Sequence, residues 1–241
     1  MSNEVAAAGP DASRAIVVTG AASGIGRAIA LHLLDAGWPV IGVDRAACDI
    51  AHAGFTSVAV DLTDGAALAA CLPRLRAAFG LVHAAGLLRV ARLGEYDPAA
   101  GELMWRVHVQ AAMALADALG PTLAARPDGG RIVLIGSRVA HGMPGRGQYA
   151  ATKAALVALA RSWAAELAAH GVTVNVVAPA ATATAMLADP ARAASAPRLP
   201  PIGRLIEPAE IAALVAYLLC PAAAAITGQE LLVCGGSSLA Q

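Results

Sequence analysis

Several features that define common protein classes are scarce in this chain of 241 residues. Aromatic residues make up 3% of it and charged residues 14%, and the basic and acidic side chains balance at 17 each. Because no basic block stands out, the sequence gives no electrostatic basis for a nucleic-acid partner. A neutral chain with 58% hydrophobic residues favours self-association, so we expect a homo-oligomer.

Cysteine is also scarce, since the chain has four, and none are paired at metal-ligand spacing. The six histidines are scattered and form no HExxH motif, so we expect no metal site. A disulfide framework is not expected in a chain of this size without a secretion signal. Residues 1–13 contain Glu4 and Asp11 and lack an apolar core, which predicts a disordered N-terminal tail and not a signal peptide. We therefore expect a cytoplasmic protein.

A long hydrophobic run is missing as well. The longest uncharged apolar stretch, residues 211–226, is shorter than the roughly 18 residues of a membrane-spanning helix, and Pro221 interrupts it. We therefore expect no membrane partner. No composition break or long linker divides the chain, so residues 14–241 are predicted to form one domain.

The chain does have short β-branched runs that alternate with alanine-rich stretches at helical spacing. Apolar strands that alternate with helices indicate a parallel sheet covered on both faces, and therefore an α/β, doubly wound, Rossmann-type domain. The predicted strands are residues 14–19, 39–43, 57–60, 81–84, 131–135, 172–177 and 230–233. The predicted helices are residues 24–36, 64–78, 98–125, 148–169 and 208–219. The proline-containing stretch 180–205 predicts a mobile loop beside the site.

A glycine-rich turn follows the first predicted strand and opens the first helix. Gly20, Gly24 and Gly26 lie where a bare backbone permits a tight turn, a close approach to a pyrophosphate and close helix–strand packing. The helix N-terminus then offers N–H groups to the phosphates. A glycine trio alone is equally consistent with a tight turn that binds nothing, but the strand–turn–helix context favours a dinucleotide.

Acidic residues end the next two strands. Asp44 is placed to accept the ribose hydroxyls and to repel a 2′-phosphate, which favours NAD over NADP. Arg45 is adjacent and could hold a 2′-phosphate, although we favour a solvated surface charge. Asp61 is placed to reach the adenine edge; the alternative is a helix cap, a role that Thr63 or Asp64 fits better.

A tyrosine and a lysine lie four residues apart on one predicted helix, so Tyr149 and Lys153 face the same way. A nearby ammonium favours the phenolate form of a phenol, which suits the pair to acid–base work. Ser137 lies at the carboxyl end of a strand, where open parallel sheets bind ligands. Asn175 and Thr184 mark another strand end that we expect in the same crevice. Without this context, an exposed helical pair would be the simpler interpretation.

These motifs occur together in the order and spacing of one family. The motifs are the turn 19–26, the segment His83-Ala-Ala-Gly86, Ser137, Tyr149-x-x-x-Lys153 and Asn175-x-x-x-Pro179. Together they make residues 14–236 resemble the short-chain dehydrogenases/reductases. The resemblance implies a single Rossmann domain with seven parallel strands, an NAD(P)-dependent alcohol dehydrogenase or ketoreductase, and a homotetramer or dimer that acts on a small molecule.

The resemblance also implies roles for individual residues. Tyr149 would be the general acid/base, Ser137 would orient the reacting oxygen, and Lys153 would bind the nicotinamide ribose. The implied cofactor-binding residues are Gly20, Ser23, Gly24, Ile25, Gly26, Asp44, Asp61, Leu62, Ala84, Ala85, Gly86, Tyr149, Lys153, Pro179, Thr182 and Thr184.

The chain departs from the family pattern at several positions. His83 replaces the first asparagine of the usual Asn-Asn-Ala-Gly, and His108 replaces the helix asparagine that completes the catalytic tetrad. That asparagine normally holds a water in a proton relay, so His108 is a candidate catalytic residue; a packed helix histidine is the equally weighted alternative.

The substrate is less well indicated. Residues 84–89 and 235–239 resemble the 2,3-dihydro-2,3-dihydroxybenzoate dehydrogenases, which oxidise a cyclic dihydrodiol acid. Arg89, Arg138 and Arg146 could meet its carboxylate, although surface arginines on loops are the simpler interpretation. A nucleotide-binding module without turnover is a further hypothesis, which an intact Ser137, Tyr149 and Lys153 disfavour.

Overall fold

The computed structural model describes residues 14–187 and 199–239. The predicted N-terminal tail, residues 1–13, and residues 188–198 of the predicted loop lie outside the described part of the chain.

The described residues form one domain around a seven-stranded, entirely parallel sheet, which confirms the predicted fold class. The strand order is β3-β2-β1-β4-β5-β6-β7. The order reverses between β1 and β4, and at such a point an open parallel sheet leaves a crevice at its carboxyl edge. The strands are β1 (Ile16–Thr19), β2 (Val40–Asp44), β3 (Phe55–Ala59), β4 (Gly80–His83), β5 (Arg131–Ile135), β6 (Thr173–Pro179) and β7 (Glu230–Val233).

Helices cover both faces of the sheet. They are α1 (Gly24–Asp35), α2 (Gly65–Cys71), α3 (Pro98–Trp105), α4 (Ala111–Ala124), α5 (Gly147–Leu167) and α6 (Pro208–Leu219). Short 3₁₀ turns occupy Leu72–Arg74, Arg138–His141, Ala168–His170 and Pro221–Ala223.

Each face of the sheet carries its own apolar core. The side chains of α1 and α6 pack on one face, where Leu33 and Ile211 are fully buried. The side chains of α2, α4 and α5 pack on the other, where Leu119 and Leu156 are fully buried. The central strands are therefore apolar on both sides, which explains why their sequences are continuous hydrophobic runs.

Two predicted helices are wrong in their extent. The predicted helix 64–78 ends at Cys71 and continues as the 3₁₀ turn Leu72–Arg74, because Pro73 has no N–H to donate within a helix. The predicted helix 98–125 is divided into α3 and α4 by the π-helical turn Arg106–Gln110. A π turn adds one residue to the helix and changes its hydrogen-bond register, often at functional sites.

Candidate active site

The glycine turn takes the geometry that a dinucleotide-binding loop requires. Gly20 and Gly24 have positive φ values of 71° and 55°, which side chains rarely adopt. A Cβ on Gly20 would lie 2.9 Å from the Ala85 backbone, so only glycine allows the two loops to meet. Ser23 is the N-cap of α1 but makes no capping hydrogen bond with the described residues. The free N–H groups of this helix start therefore fit a phosphate.

The loop after β4 is tied to the glycine turn through Thr19. The Thr19 hydroxyl accepts from the backbone N–H groups of Ala84 and Ala85, both at 3.0 Å, and contacts His83 Nδ1 at 3.0 Å. His83 Nε2 lies 3.1 Å from the carbonyl oxygen of Val107 in the π turn. A carbonyl only accepts, so Nε2 carries the proton and Nδ1 accepts from Thr19.

His83 is therefore a neutral imidazole that joins β1, β4 and the π turn. Its side chain is buried, and burial, reinforced by the charge of Lys153, lowers its pKa to about 4. The family asparagine at this position is thus replaced by a group with two directed hydrogen bonds, a role that the sequence did not indicate.

Asp44 lies at the end of β2 beside the glycine turn, as predicted. Its carboxylate accepts from the N–H groups of Ala22 at 3.1 Å and Ala46 at 3.0 Å. A carboxylate has lone pairs for further donors, so these bonds fix its orientation and leave capacity for ribose hydroxyls. Arg45 is exposed, in agreement with a solvated surface charge.

Asp61 and Asp64 have different tasks. Asp64 accepts from the N–H groups of Ala66 and Ala67 and caps α2. Asp61 instead accepts from the backbone N–H and the hydroxyl of Thr63, both at 2.8 Å, and these bonds lower its pKa. The alternative in which Asp61 is the helix cap is therefore wrong. Leu62 packs on the core beside it.

A pocket of about 760 Å³ opens at the carboxyl edge of the sheet. It brings together Ser137, Tyr149 and Lys153, as the sequence predicts. Other predicted residues that line it are Ile25, Ala84, Gly86, Pro179, Thr182 and Thr184. Asn175 is different: it bonds to the Ile226 carbonyl and the Gln229 N–H, so it holds β6 to the segment before β7 and does not line the pocket.

Ser137 is the N-cap of the 3₁₀ turn Arg138–His141, which follows β5. Its hydroxyl oxygen accepts from the Val139 N–H at 3.2 Å. A hydroxyl has a donor as well as acceptor sites, so this bond orients Ser137 and leaves its hydrogen to be given to a substrate oxygen.

Lys153 is buried beneath the tyrosine. Its side chain is 4% exposed, and Nζ donates to the carbonyl of Ile135 at 2.8 Å and lies 5.8 Å from the ring centre of Tyr149. No described carboxylate pairs with it. Burial alone lowers the pKa of Lys153 to about 7, so the ammonium and amine forms both exist near neutral pH.

His108 contacts the tyrosine from the π turn. Its Nε2 accepts from the Leu87 N–H at 3.0 Å, which places the proton on Nδ1, 2.8 Å from the Thr152 hydroxyl. Thr152 in turn donates to the carbonyl of Tyr149 at 2.8 Å. The His108 and Tyr149 rings meet edge to face at 5.6 Å. Burial holds the pKa of His108 well below its usual value, so the arrangement favours a neutral positioning residue over a proton relay.

The sequence placed Thr19 in the glycine turn but did not indicate its hydrogen bonds, and it did not single out Thr152. Thr152 lies three residues after Tyr149, a spacing at which a helical hydroxyl bonds back to a carbonyl, but its histidine partner is 44 residues away.

The three candidate arginines differ in whether they line the pocket. Arg138 and Arg146 line the pocket, and Arg146 is only 8% exposed, so the interpretation of surface arginines is wrong for Arg146. Arg89 bonds to the Leu88 carbonyl and is not part of the pocket lining. Among the described residues, no helix is long and apolar enough to cross a membrane, and no cluster of side chains has the composition of a metal site.

Comparison with known proteins agrees with this architecture. A family model described as "Enoyl-(Acyl carrier protein) reductase" matches residues 20–238. The chain is 37% identical over 234 residues to the 3-oxoacyl-[acyl-carrier-protein] reductase FabG of Escherichia coli (strain K12), with 91% of this chain and 95% of that protein covered.

Two further relatives act on cyclic acids according to their names. The 2,3-dihydro-2,3-dihydroxybenzoate dehydrogenase of Escherichia coli (strain K12) is 35% identical over 239 residues, covering 92% of this chain and 96% of that protein. The cis-4-hydroxycyclohexanecarboxylate dehydrogenase of Sinomonas cyclohexanicum is 38% identical over 245 residues, covering 93% and 96%.

Solved structures show the same fold. A short-chain dehydrogenase/reductase family protein superposes with a TM-score of 0.85 at 36% identity, covering 94% of this chain and 97% of that one. A 3-ketoacyl-(acyl-carrier-protein) reductase from Brucella melitensis complexed with NADH gives 0.85 at 28% identity, covering 93% and 98%. The chain is an oxidoreductase of the short-chain dehydrogenase/reductase family.

Proposed function

We propose that this protein transfers a hydride between a nicotinamide cofactor, preferably NAD(H), and the carbinol or carbonyl carbon of a small alcohol or ketone. One observation supports this most strongly: Ser137, Tyr149 and Lys153 line one pocket, which Ile25 of the glycine turn also lines.

In this proposal each of the three side chains has one task. The Ser137 hydroxyl, oriented by the Val139 N–H, donates to the substrate oxygen. During oxidation the Tyr149 phenolate takes the hydroxyl proton and becomes the phenol, and during reduction the phenol gives that proton to the substrate oxygen. The Lys153 ammonium favours the phenolate form of its neighbour. The nicotinamide supplies the hydride acceptor or donor when it is bound.

The described residues fit a dinucleotide. The positive φ of Gly24 and the uncapped start of α1 leave backbone N–H groups for the pyrophosphate. Among the described residues, a Cβ on Gly24 would meet only the Thr184 side chain within 4 Å, so this glycine borders the pocket that Thr184 lines.

The preference for NAD rests on Asp44. Its carboxylate is held against the turn by the Ala22 N–H, where a 2′-phosphate would meet a fixed negative charge. Arg45, the residue that could compensate, is exposed on the surface.

A substrate panel with both cofactors tests the proposal. We expect cyclic alcohols, dihydrodiols and ketones to be turned over with NAD(H) in preference to NADP(H), and Asp44→Ala to narrow that difference. If no alcohol or ketone is turned over although the cofactor binds, the chain is a nucleotide-binding module without turnover. If NADP(H) is preferred by the unaltered protein, Asp44 does not determine the choice.

A further inference from the structure

The pocket has an unbalanced charge. Its charged lining residues are Arg138, Arg146 and Lys153, and no aspartate or glutamate is among the described residues that line it. The rest of the lining is largely apolar and includes Leu87, Val139 and Met143. A cation that lines an apolar cavity without a carboxylate counter-ion among the described residues, as Arg138 does, favours an anionic ligand, because the cavity strengthens its field.

Arg138 is the cation placed to meet that ligand. Its guanidinium has no ion pair or hydrogen bond with any described residue, whereas Lys153 is bound to the Ile135 carbonyl. Arg138 directly follows Ser137 and begins the same 3₁₀ turn. Both side chains line the same pocket, so one small molecule can contact Arg138 and present its reacting oxygen to Ser137.

The cofactor's own pyrophosphate is the other anion that enters this crevice. The glycine turn follows β1, whereas Arg138 follows β5, which is two strands away in the sheet. At about 4.8 Å per strand, the separation is roughly 10 Å. Arg138 thus follows the strand that leads to Ser137 and not the strand that leads to the glycine turn.

We infer that Arg138 binds a carboxylate of the substrate, so that the enzyme acts on small alicyclic hydroxy or oxo acids whose reacting carbon and carboxylate are on one ring. The inference rests on the proposed function and adds the substrate class. Arginine presents a planar pair of donors that matches a carboxylate bidentately. Two relatives carry names of enzymes for such ring acids.

Matched neutral and charged probes test the inference. Cyclohexanecarboxylate and cyclohexanecarboxamide have nearly the same shape and differ in charge. We expect the NAD-bound protein to bind the acid roughly 10- to 100-fold more tightly than the amide, the range of a charge-assisted hydrogen bond. Isothermal titration calorimetry measures both. Equal affinities, or binding of neither probe, would overturn the inference.

Variants assign the effect to Arg138. Arg138→Gln should remove most of the preference for the acid, and Arg138→Lys should keep part of it, because it retains the charge and loses the bidentate fork. Arg89→Gln is the matched control and should keep the full preference, since Arg89 does not line the pocket. Thermal unfolding of each variant shows whether it is folded. Retention of the preference in folded Arg138→Gln, or an equal loss of NAD affinity, would contradict the assignment.

Turnover separates this inference from the proposed function. The same proteins are assayed with 4-hydroxycyclohexanecarboxylate, its carboxamide and cyclohexanol. Turnover of all three without preference overturns the carboxylate site alone. Binding of the acid through Arg138 without turnover of any alcohol overturns the proposed oxidoreductase reaction alone.

Discussion

At the residue scale, two histidines stand where the family has asparagines, and each is still held in place by hydrogen bonds. His83 and His108 replace asparagines, yet both are neutral, buried and fixed by two protein hydrogen bonds each. The sequence identified both positions as departures, but not these bonds. Which ring nitrogen carries the proton depends on Thr152, Leu87 and Val107, which only the folded chain brings near.

The first prediction concerns His108. His108→Asn restores the family residue, and we expect the pH dependence of turnover to keep its shape, because the imidazole stays neutral throughout the working range. Any loss of rate should follow the loss of stability. The pH–rate profile and the free energy of unfolding are measured together. Disappearance of an ionisation near pH 6.5 in a folded His108→Asn protein would show that His108 is a proton relay.

The second prediction concerns Lys153 and stability. Its folded pKa of about 7 lies below the ordinary 10.5, so the unfolded chain binds more protons between these values. The free energy of unfolding should therefore rise with pH from about 7 to about 10, by at most about 1.4 kcal/mol per unit from this group. Lys153→Met should flatten the dependence. Urea unfolding at several pH values checks it, and an identical slope in both proteins would contradict the burial of an amine.

At the scale of the elements, the sequence predicted which segments are helices and strands better than where they end. The alternation of apolar runs was sufficient for seven strands because the central strands are covered on both faces, although the edge strands β3 and β7 are partly exposed. The π turn was not predictable, because its extra residue is tied to a distant partner: Val107 presents its carbonyl to His83. Periodicity within one segment contains no information about such a contact.

The third prediction separates two aspartates beside α2. Asp64→Ala removes a cap that accepts from two N–H groups and should cost about 1 kcal/mol of stability. Asp61→Ala removes no helix cap and should cost less stability, while it weakens NAD binding if Asp61 contacts the adenine edge as the sequence predicts. Denaturant unfolding and cofactor titration give the two values for each variant. An equal loss of stability in both would show that the capping assignment is wrong.

At the scale of the whole molecule, the sequence motifs predicted the position of the site because the parallel topology brings strand ends to one edge. The Gly20 turn, Ser137 and Thr184 come from three separate strand ends and meet at that edge. The cationic character of the pocket was harder to predict from the sequence, because the segment that contains Arg138 and Arg146 resembles a surface loop.

The fourth prediction concerns assembly. Trp105 and Met113, on α3 and α4, are large apolar side chains that are 41% and 46% exposed, and an oligomer interface can cover such side chains. We expect a homo-oligomer that buries them, with a mass that is a multiple of 24.0 kDa. Sedimentation velocity measures this, and Trp105→Glu with Met113→Lys should shift the distribution toward the monomer. A monomer at micromolar concentration in the unaltered protein would contradict the expectation.

The central claim is that Tyr149 transfers the proton in a nicotinamide-dependent reaction, and Tyr149→Phe tests it most directly. The change keeps the ring that packs against His108 and removes the ionisable hydroxyl. Tyr217→Phe, an exposed tyrosine on α6, is the matched control. We expect kcat to fall roughly 100- to 10,000-fold in Tyr149→Phe, with NAD affinity and thermal stability retained, and the control to behave as the unaltered protein. Turnover at the unaltered rate in a folded, NAD-binding Tyr149→Phe protein would contradict the account.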